Sequence, residues 1–223
     1  MLPDRLTRID ETNRADHPFL DETDHCFFFG EYFARQGYQG GGTNQLIFNF
    51  KCKPSIVAAK PDRGRWKEIA VQEIAAGLCR VIGQQNAERW TWVPIPPSKA
   101  VSHIDYDDRL MRTLAVAFRD YDADVRMLLR QSESTKADHE SSDRLTPEAL
   151  YKVLELDRAV MSERPLRRSI VLFDDLLTTG KHFKCCERRL REEIPASVPI
   201  IGIFVARRIL PDPAVDSEDL TSQ

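Results

Sequence analysis

At 223 residues the chain is long enough to bury one sizeable core, and no linker-like break divides it, so a single α/β domain is expected. A formal charge of -3 assembled from many charges of both signs signals neither a nucleic-acid footprint nor a membrane-surface patch, which leaves any anion site to be local. The five cysteines form no C-x-x-C pair, His25 and Cys26 are the only adjacent His/Cys pair, and the start of the chain is charged; these disfavour a zinc cluster and do not resemble a secretory signal, and a soluble, cytoplasmic protein with reduced thiols is expected.

Residues 1–24 are polar with little periodicity and read as a tail or a surface-hugging loop from which no chemistry is expected. Residues 25–223 then form the single domain. Aromatics cluster over 26–33, and after Gly40, Gly41 and Gly42 comes a second apolar stretch over 45–51. The two are either a pair of strands around a glycine turn, or a strand and a short helix capped by Thr43 or Asn44. Trp66, Ile69, Ala70, Ile74, Gly77, Leu78, Val81 and Ile82 recur at helical spacing.

Residues 90–95 read as a short buried strand that runs into Pro96, Pro97, Ser98 and Lys99, where regular structure ends. Asp105 or Asp107 can start a helix through Leu110, Leu114, Ala117 and Phe118, and 125–129 is a further strand. The composition then turns wholly polar from Gln131 to Arg144, about the length at which an unstructured loop usually signals a lid. Thr146, Pro147 and Glu148 open a short helix, with proline at its first position.

The last third alternates most plainly: a strand over 169–173, a loop, a helix over 183–193 and a strand over 199–206. That is a βαβ unit, which implies a parallel sheet with ligands beyond the carboxyl ends of its strands.

The chemistry concentrates where the apolar run Ile170, Val171, Leu172 and Phe173 ends in Asp174 and Asp175. Adjacent carboxylates at a strand end can accept hydrogen bonds from vicinal hydroxyls, or approach a metal carried by a phosphorylated substrate. Thr178, Thr179, Gly180 and Lys181 follow with hydroxyl donors, a glycine that permits close backbone approach and the N–H groups of a helix start, which together suit a phosphate. The alternative is that the acids merely cap the next helix and Gly180 makes a turn.

Residues 170–180 resemble the phosphoribosyl-pyrophosphate (PRPP) signature of the type I phosphoribosyltransferases: four hydrophobic residues, two acids, two aliphatics, two hydroxyl residues and a glycine. A more distant likeness to the ComF-like branch extends over most of the chain. It rests on the order of Phe50 and Lys51, the helix from Trp66, the run Val93, Pro94, Ile95, Pro96, the polar loop and the signature. The N-terminal cysteine cluster often found in that branch is absent, and Asp105, Tyr106, Asp107, Asp108 and Arg109 stand where it has Gly-Phe-Asn.

The resemblance implies a mostly parallel sheet flanked by helices, with a small N-terminal hood over about 25–60 and a flexible lid over 131–146. It implies that Asp174 and Asp175 hold the ribose hydroxyls, and that Leu177, Thr178, Thr179, Gly180 and Lys181 bind the 5-phosphate. His182 takes the place of a usual hydroxyl residue. Pro97, Ser98 and Lys99 resemble the pyrophosphate loop, although Pro96 and Pro97 also suit a plain turn. Lys136 and Arg144 become lid contacts to phosphate or else solvated loop charges, and His139 is a lone lid histidine with no partner visible in sequence.

The implied activity is Mg-dependent transfer of phosphoribosyl from PRPP to an unidentified acceptor. Lys99, Lys136, Asp174 and Asp175 would carry it, and Mg would arrive on the diphosphate. Thr178 stands where the 6-oxopurine transferases have an aspartate, which argues against purine salvage. Acceptor recognition is expected from the aromatic stretch 27–50 and from 206–210. The alternatives are a non-catalytic sensor of PRPP or a nucleotide that acts through a partner protein, and a DNA-linked role that composition does not independently support.

Overall fold

The computed structural model describes residues 2–133 and 145–211, so the sequence-predicted lid residues Lys136, His139 and Arg144 lie outside the described residues. In chain order the elements are β1 (Thr7–Arg8), β2 (His25–Phe33), α1 (Gly42–Phe50), α2 (Pro54–Ala59), α3 (Pro61–Arg89) and β3 (Trp90–Pro94). There follow α4 (Arg109–Ala117), β4 (Asp124–Val125), β5 (Leu129–Gln131), α5 (Pro147–Val153), β6 (Leu154–Leu156) and α6 (Arg158–Ser162). The chain then forms β7 (Ser169–Leu177), α7 (Lys181–Leu190) and β8 (Ile200–Ile209).

Six strands form one sheet in the order β1-β2-β8-β7-β3-β4; only β1 runs antiparallel to its neighbour, and β5 and β6 pair separately. The fold is therefore α/β with a mostly parallel sheet flanked by helices.

The apolar run of β7 is buried on both faces because successive side chains alternate across the sheet. Val171 and Phe173 enter a cluster with Phe50 of α1, Ile74 and Leu78 of α3, and Leu114 of α4. Ile170 and Leu172 enter a second cluster with Leu150 of α5 and with Phe183 and Leu190 of α7.

From β3 the chain leaves through α4 to β4, and from β7 it leaves through α7 to β8, in opposite directions along the sheet. The neighbours β3 and β7 thus flank a topological switch point, where their carboxyl-end loops diverge and open a crevice.

Several local expectations are corrected by tertiary context. The stretch 45–51 is helical, and the N-cap of α1 is Gly41 rather than Thr43 or Asn44. Asn44 is instead buried and mimics a strand partner: its Oδ1 accepts the Phe33 N–H, and its Nδ2 donates to the carbonyls of Phe33 and Gly37, each at 2.9 Å. Helix α3 is longer than its apolar repeat and breaks at Gly83, whose φ of 68° favours glycine.

The expected strand over 125–129 divides between β4 and β5, which belong to different sheets. Most consequentially, β7 does not end at Phe173: Asp174 pairs with Phe204 and Leu177 with Arg207, so both acids sit inside a strand.

The segment expected as a hood, about 25–60, begins with β2, which joins the main sheet in parallel with β8. Of the tail or surface-hugging loop expected over residues 1–24, the packed alternative fits, since Leu2, Ile9, His17, Leu20 and Asp24 are buried. Among the described residues no helix is long and apolar enough to cross a membrane.

Candidate functional site

A cavity of about 190 Å³ occupies the crevice between β3 and β7. One wall is the loop after β3, including Pro97, Ser98 and Lys99; the opposite wall is the end of β7 and the start of α7, including Asp174, Leu177, Thr178, Gly180 and His182. Lys51, Lys53 and Arg109 bring further positive charge, and Tyr106, Met111 and Met127 supply apolar and aromatic surface.

The two adjacent acids have opposite environments because neighbouring residues of a strand point to opposite faces. Asp175 turns to the face of α1 and α4, where its side chain is 3% exposed. Its Oδ1 accepts from Lys51 Nζ at 2.8 Å, and its Oδ2 accepts from Arg109 Nε at 3.1 Å and from the guanidinium NH2. Burial alone would raise the Asp175 carboxyl, but Lys51 and Arg109 outweigh it and hold the group well below the usual carboxylate range.

The ion pairs continue inward. Arg109 NH1 donates to Asp107 Oδ2 at 2.9 Å, and the same oxygen accepts from buried Lys67 Nζ at 2.6 Å. Lys67 also donates to the Cys52 carbonyl at 2.7 Å, and burial, opposed by Asp107, lowers its pKa.

Asp174 has no comparable cation. Its Oδ1 accepts the Asp175 N–H at 2.7 Å, and the side chain lines the cavity. Burial, followed by the neighbouring Asp175 charge, pushes its carboxyl up to about 7. A carboxyl so placed loses its proton readily when a hydroxyl donor or a metal ion approaches, since either favours the charged form.

Beyond β7, residues 178–180 turn into α7 with Gly180 in the left-handed region at φ 83°. This loop rests on the N-terminal segment. His17 Nδ1 donates to the Thr178 carbonyl, the Phe19 N–H donates to the Thr179 carbonyl at 3.0 Å, and Leu20 packs against Gly180. A Cβ on Gly180 would lie 2.6 Å from Leu20 Cγ, so glycine is required there by contact as well as by φ.

Not every expected residue converges on the cavity. Asp174, Leu177, Thr178, Gly180, His182, Pro97, Ser98 and Lys99 line it, whereas Thr179 and Lys181 do not. Lys181 is buried and its Nζ donates to the Leu145 carbonyl at 2.8 Å. Asp175 lines the cavity, but with both oxygens already bonded to cations. The aromatic stretch 27–50, expected to recognise an acceptor, contributes no lining residue to this cavity, and neither does 206–210.

Sequence reasoning missed Lys51 and Arg109 as members of the site, and missed the N-terminal support. Lys51 lies 124 positions from its partner Asp175, and Arg109 lies 66, so no local pattern marks either. The one usable signal was the dense Asp105, Tyr106, Asp107, Asp108, Arg109 cluster at a helix start.

The fit to a divalent cation follows from the same geometry. Among the described residues no three His, Cys, Asp or Glu side chains gather at metal-ligand spacing. Asp174 presents a carboxyl with no comparable cation, and Asp105 and Asp108 also line the cavity, which suits an ion that takes one or two protein carboxylates and the rest of its shell from phosphate and water. No protein-family model and no curated protein matches the chain.

Proposed function

We propose that the crevice binds a 5-phosphorylated ribose bearing a diphosphate, PRPP, and that the protein transfers its phosphoribosyl group to an acceptor with release of pyrophosphate. The observation that carries this reading is the convergence, at the switch point, of the cation-bearing loop after β3, the Asp174 carboxyl and the glycine turn before α7. In this reading the phosphate lies at the glycine turn, the diphosphate at the loop after β3, and the sugar hydroxyls between them on Asp174.

In that arrangement Mg would travel on the diphosphate, and Asp174 is the strand-end carboxylate that could approach it. Lys99 and Lys51 lie where they can balance charge on the leaving group, and displacement at the anomeric carbon then needs positioning and charge stabilisation rather than a protein nucleophile. Asp175 acts as the counter-ion that orients Lys51 and Arg109 rather than as a second sugar ligand.

That commitment of Asp175 also favours a second reading, a non-catalytic PRPP or nucleotide sensor that signals through a partner protein. A sugar diol would meet one receptive carboxylate where the transferase signature offers two.

Isothermal titration of the protein with PRPP and Mg tests the binding, with Asp174→Asn as the control. Binding that weakens at least about tenfold in a folded Asp174→Asn protein is expected. Wild-type affinity in that variant would refute the site. Pyrophosphate release across a panel of bases and nucleotides supports the transferase, while tight binding with no release for any acceptor supports the sensor.

A further inference from the structure

The loop 178–180 is held from behind by a segment far away in sequence. His17 Nδ1 approaches the Thr178 carbonyl oxygen within hydrogen-bond reach, and because a carbonyl only accepts, Nδ1 must carry the proton. The next carbonyl, that of Thr179, accepts the Phe19 N–H at 3.0 Å. His17 is wholly buried, and its Nε2 meets no hydrogen-bond partner among the described residues, so the ring makes this one polar contact.

The segment is tied at both ends, to β8, the sheet neighbour of β7, and to α7, which follows the loop. Asp16 accepts from Arg207 of β8 at 2.9 Å, and Asp24 accepts from Lys184 of α7 at 2.7 Å. None of the residues 16–24 lines the cavity, so they lie behind the loop as seen from the crevice.

The consequence lies in peptide geometry. In a trans peptide the C=O and the following N–H point in opposite directions, and no cis peptide is present. Two consecutive carbonyls drawn toward the N-terminal segment therefore turn the N–H groups of Thr179 and Gly180 away from it, and of these two residues Gly180 lines the cavity. Gly180 is left-handed at φ 83° and ψ −6°, one of the two backbone states that alternate where successive N–H groups form an anion-binding concavity. A free loop of this sequence has no reason to keep two successive carbonyls on the same side, since extended backbone alternates them.

We propose that residues 16–20 are an integral part of the anion site, with His17 as the positioning residue that sets the direction of the Thr179 and Gly180 N–H groups. His17 touches no ligand and acts only through the Thr178 carbonyl. The proposal rests on the phosphate-binding reading of the loop, and it adds the N-terminal segment to that site.

The test uses the full chain, with ribose 5-phosphate as the probe and His17→Leu, His17→Asn and Asp16→Ala as variants. Asparagine places an N–H donor near the position of Nδ1 and keeps the one bond the ring makes; leucine removes it. Affinity for ribose 5-phosphate is expected to fall at least about tenfold in His17→Leu and to return to within about threefold of wild type in His17→Asn. Wild-type affinity in a folded His17→Leu protein overturns the proposal, as does an equal loss in His17→Asn.

Should His17→Leu fail to fold, Asp16→Ala, which only unties the segment from Arg207, is expected to weaken binding by about threefold with the melting temperature within about 3 °C of wild type. Unchanged affinity there overturns the proposal. If the wild type binds neither ribose 5-phosphate nor Mg-PRPP, the phosphate reading fails instead, and the ligand-free amide resonances of Thr179 and Gly180 decide the positioning role. These should move in His17→Leu and return in His17→Asn; resonances that stay in place in His17→Leu reject it.

Discussion

Replacing Asp174 by asparagine should stabilise the folded protein above pH 7 while removing the carboxyl that the proposed ligand would use. The side chain keeps its shape and its acceptor for the Asp175 N–H, which lies at 2.7 Å. What disappears is a carboxylate that burial and Asp175 disfavour, displaced from an ordinary 3.8 to about 7. A displacement of that size weighs on the order of 4 kcal/mol against the ionised form. The cavity lets solvent reach one side, so about half of it, roughly 2 kcal/mol, is expected as stability.

For a chain of this length that is about 4–8 °C in melting temperature. The sign follows from proton binding: the folded state holds the Asp174 proton to higher pH than the unfolded state. Stability due to the neutral acid is complete below about pH 4 and is lost as pH rises through 7. Asp174→Asn should therefore raise the melting temperature at pH 8 and leave it nearly unchanged at pH 4. Differential scanning calorimetry at the two pH values reads the difference, and a variant that is destabilised at pH 8, or shifted equally at both, refutes the reasoning.

Asp175→Asn should do the opposite at pH 8, since it strips the counter-charge from Lys51 and Arg109. A loss of about 3 kcal/mol is expected in urea unfolding, less than the full cost of a broken buried pair because Lys51 is 27% exposed. Binding of Mg-PRPP should release a proton from Asp174, so affinity should rise with pH by up to about tenfold per unit below 7 and level off above it. Titration calorimetry in buffers of different ionisation enthalpy measures this, and net proton uptake at Asp174, identified by comparison with Asp174→Asn, would contradict the placement of sugar or metal there. Far from the site, Asp124→Ala should cost about 3–5 kcal/mol, because it leaves Arg126, 2% exposed, without the carboxylate it meets at 2.8 Å. A change under about 1 kcal/mol in urea unfolding would show that its carbonyl partners at Val160, Met161 and Arg164 suffice.

The parallel sheet was legible because its strands are apolar on both faces and its last βαβ unit follows a plain strand, loop, helix, strand order. The ends of elements were less so: the period-two pattern of β7 continues through Asp174 and Asp175, but their charge disguised it as a strand terminus. Residues 45–51 were ambiguous because short apolar runs suit either period, and burial of Asn44 against Phe33 decides the outcome through contacts eleven positions apart. Within the site, the glycine loop and the acids stand together in sequence and were found together. Lys51, Arg109 and His17 reach those same residues from distant segments, and His17 sits in a polar stretch whose composition hides five buried side chains.

A pair of identical adjacent residues therefore divides two tasks that a sequence motif assigns jointly. Lys51, Arg109 and Lys67 carry three positive charges against two on Asp107 and Asp175, so this buried chain is one positive charge in excess while Asp174 keeps its proton. Ionised Asp174 would balance it, yet Lys51 and Arg109 are spent on Asp175 and lower the Asp174 carboxyl less than burial and Asp175 raise it. The result is a rigid, fully bonded acid that fixes cations beside the cavity and a second acid that stays adjustable near neutral pH. In the proposed reading, a ligand that brings hydroxyl donors or Mg to Asp174 would complete the charge balance, and the N-terminal segment behind the loop would fix where its phosphate lies. Affinity in such a site depends on the asymmetry between Asp174 and Asp175, so substituting both acids at once would confound a binding defect with the loss of the ion pairs that hold the site open.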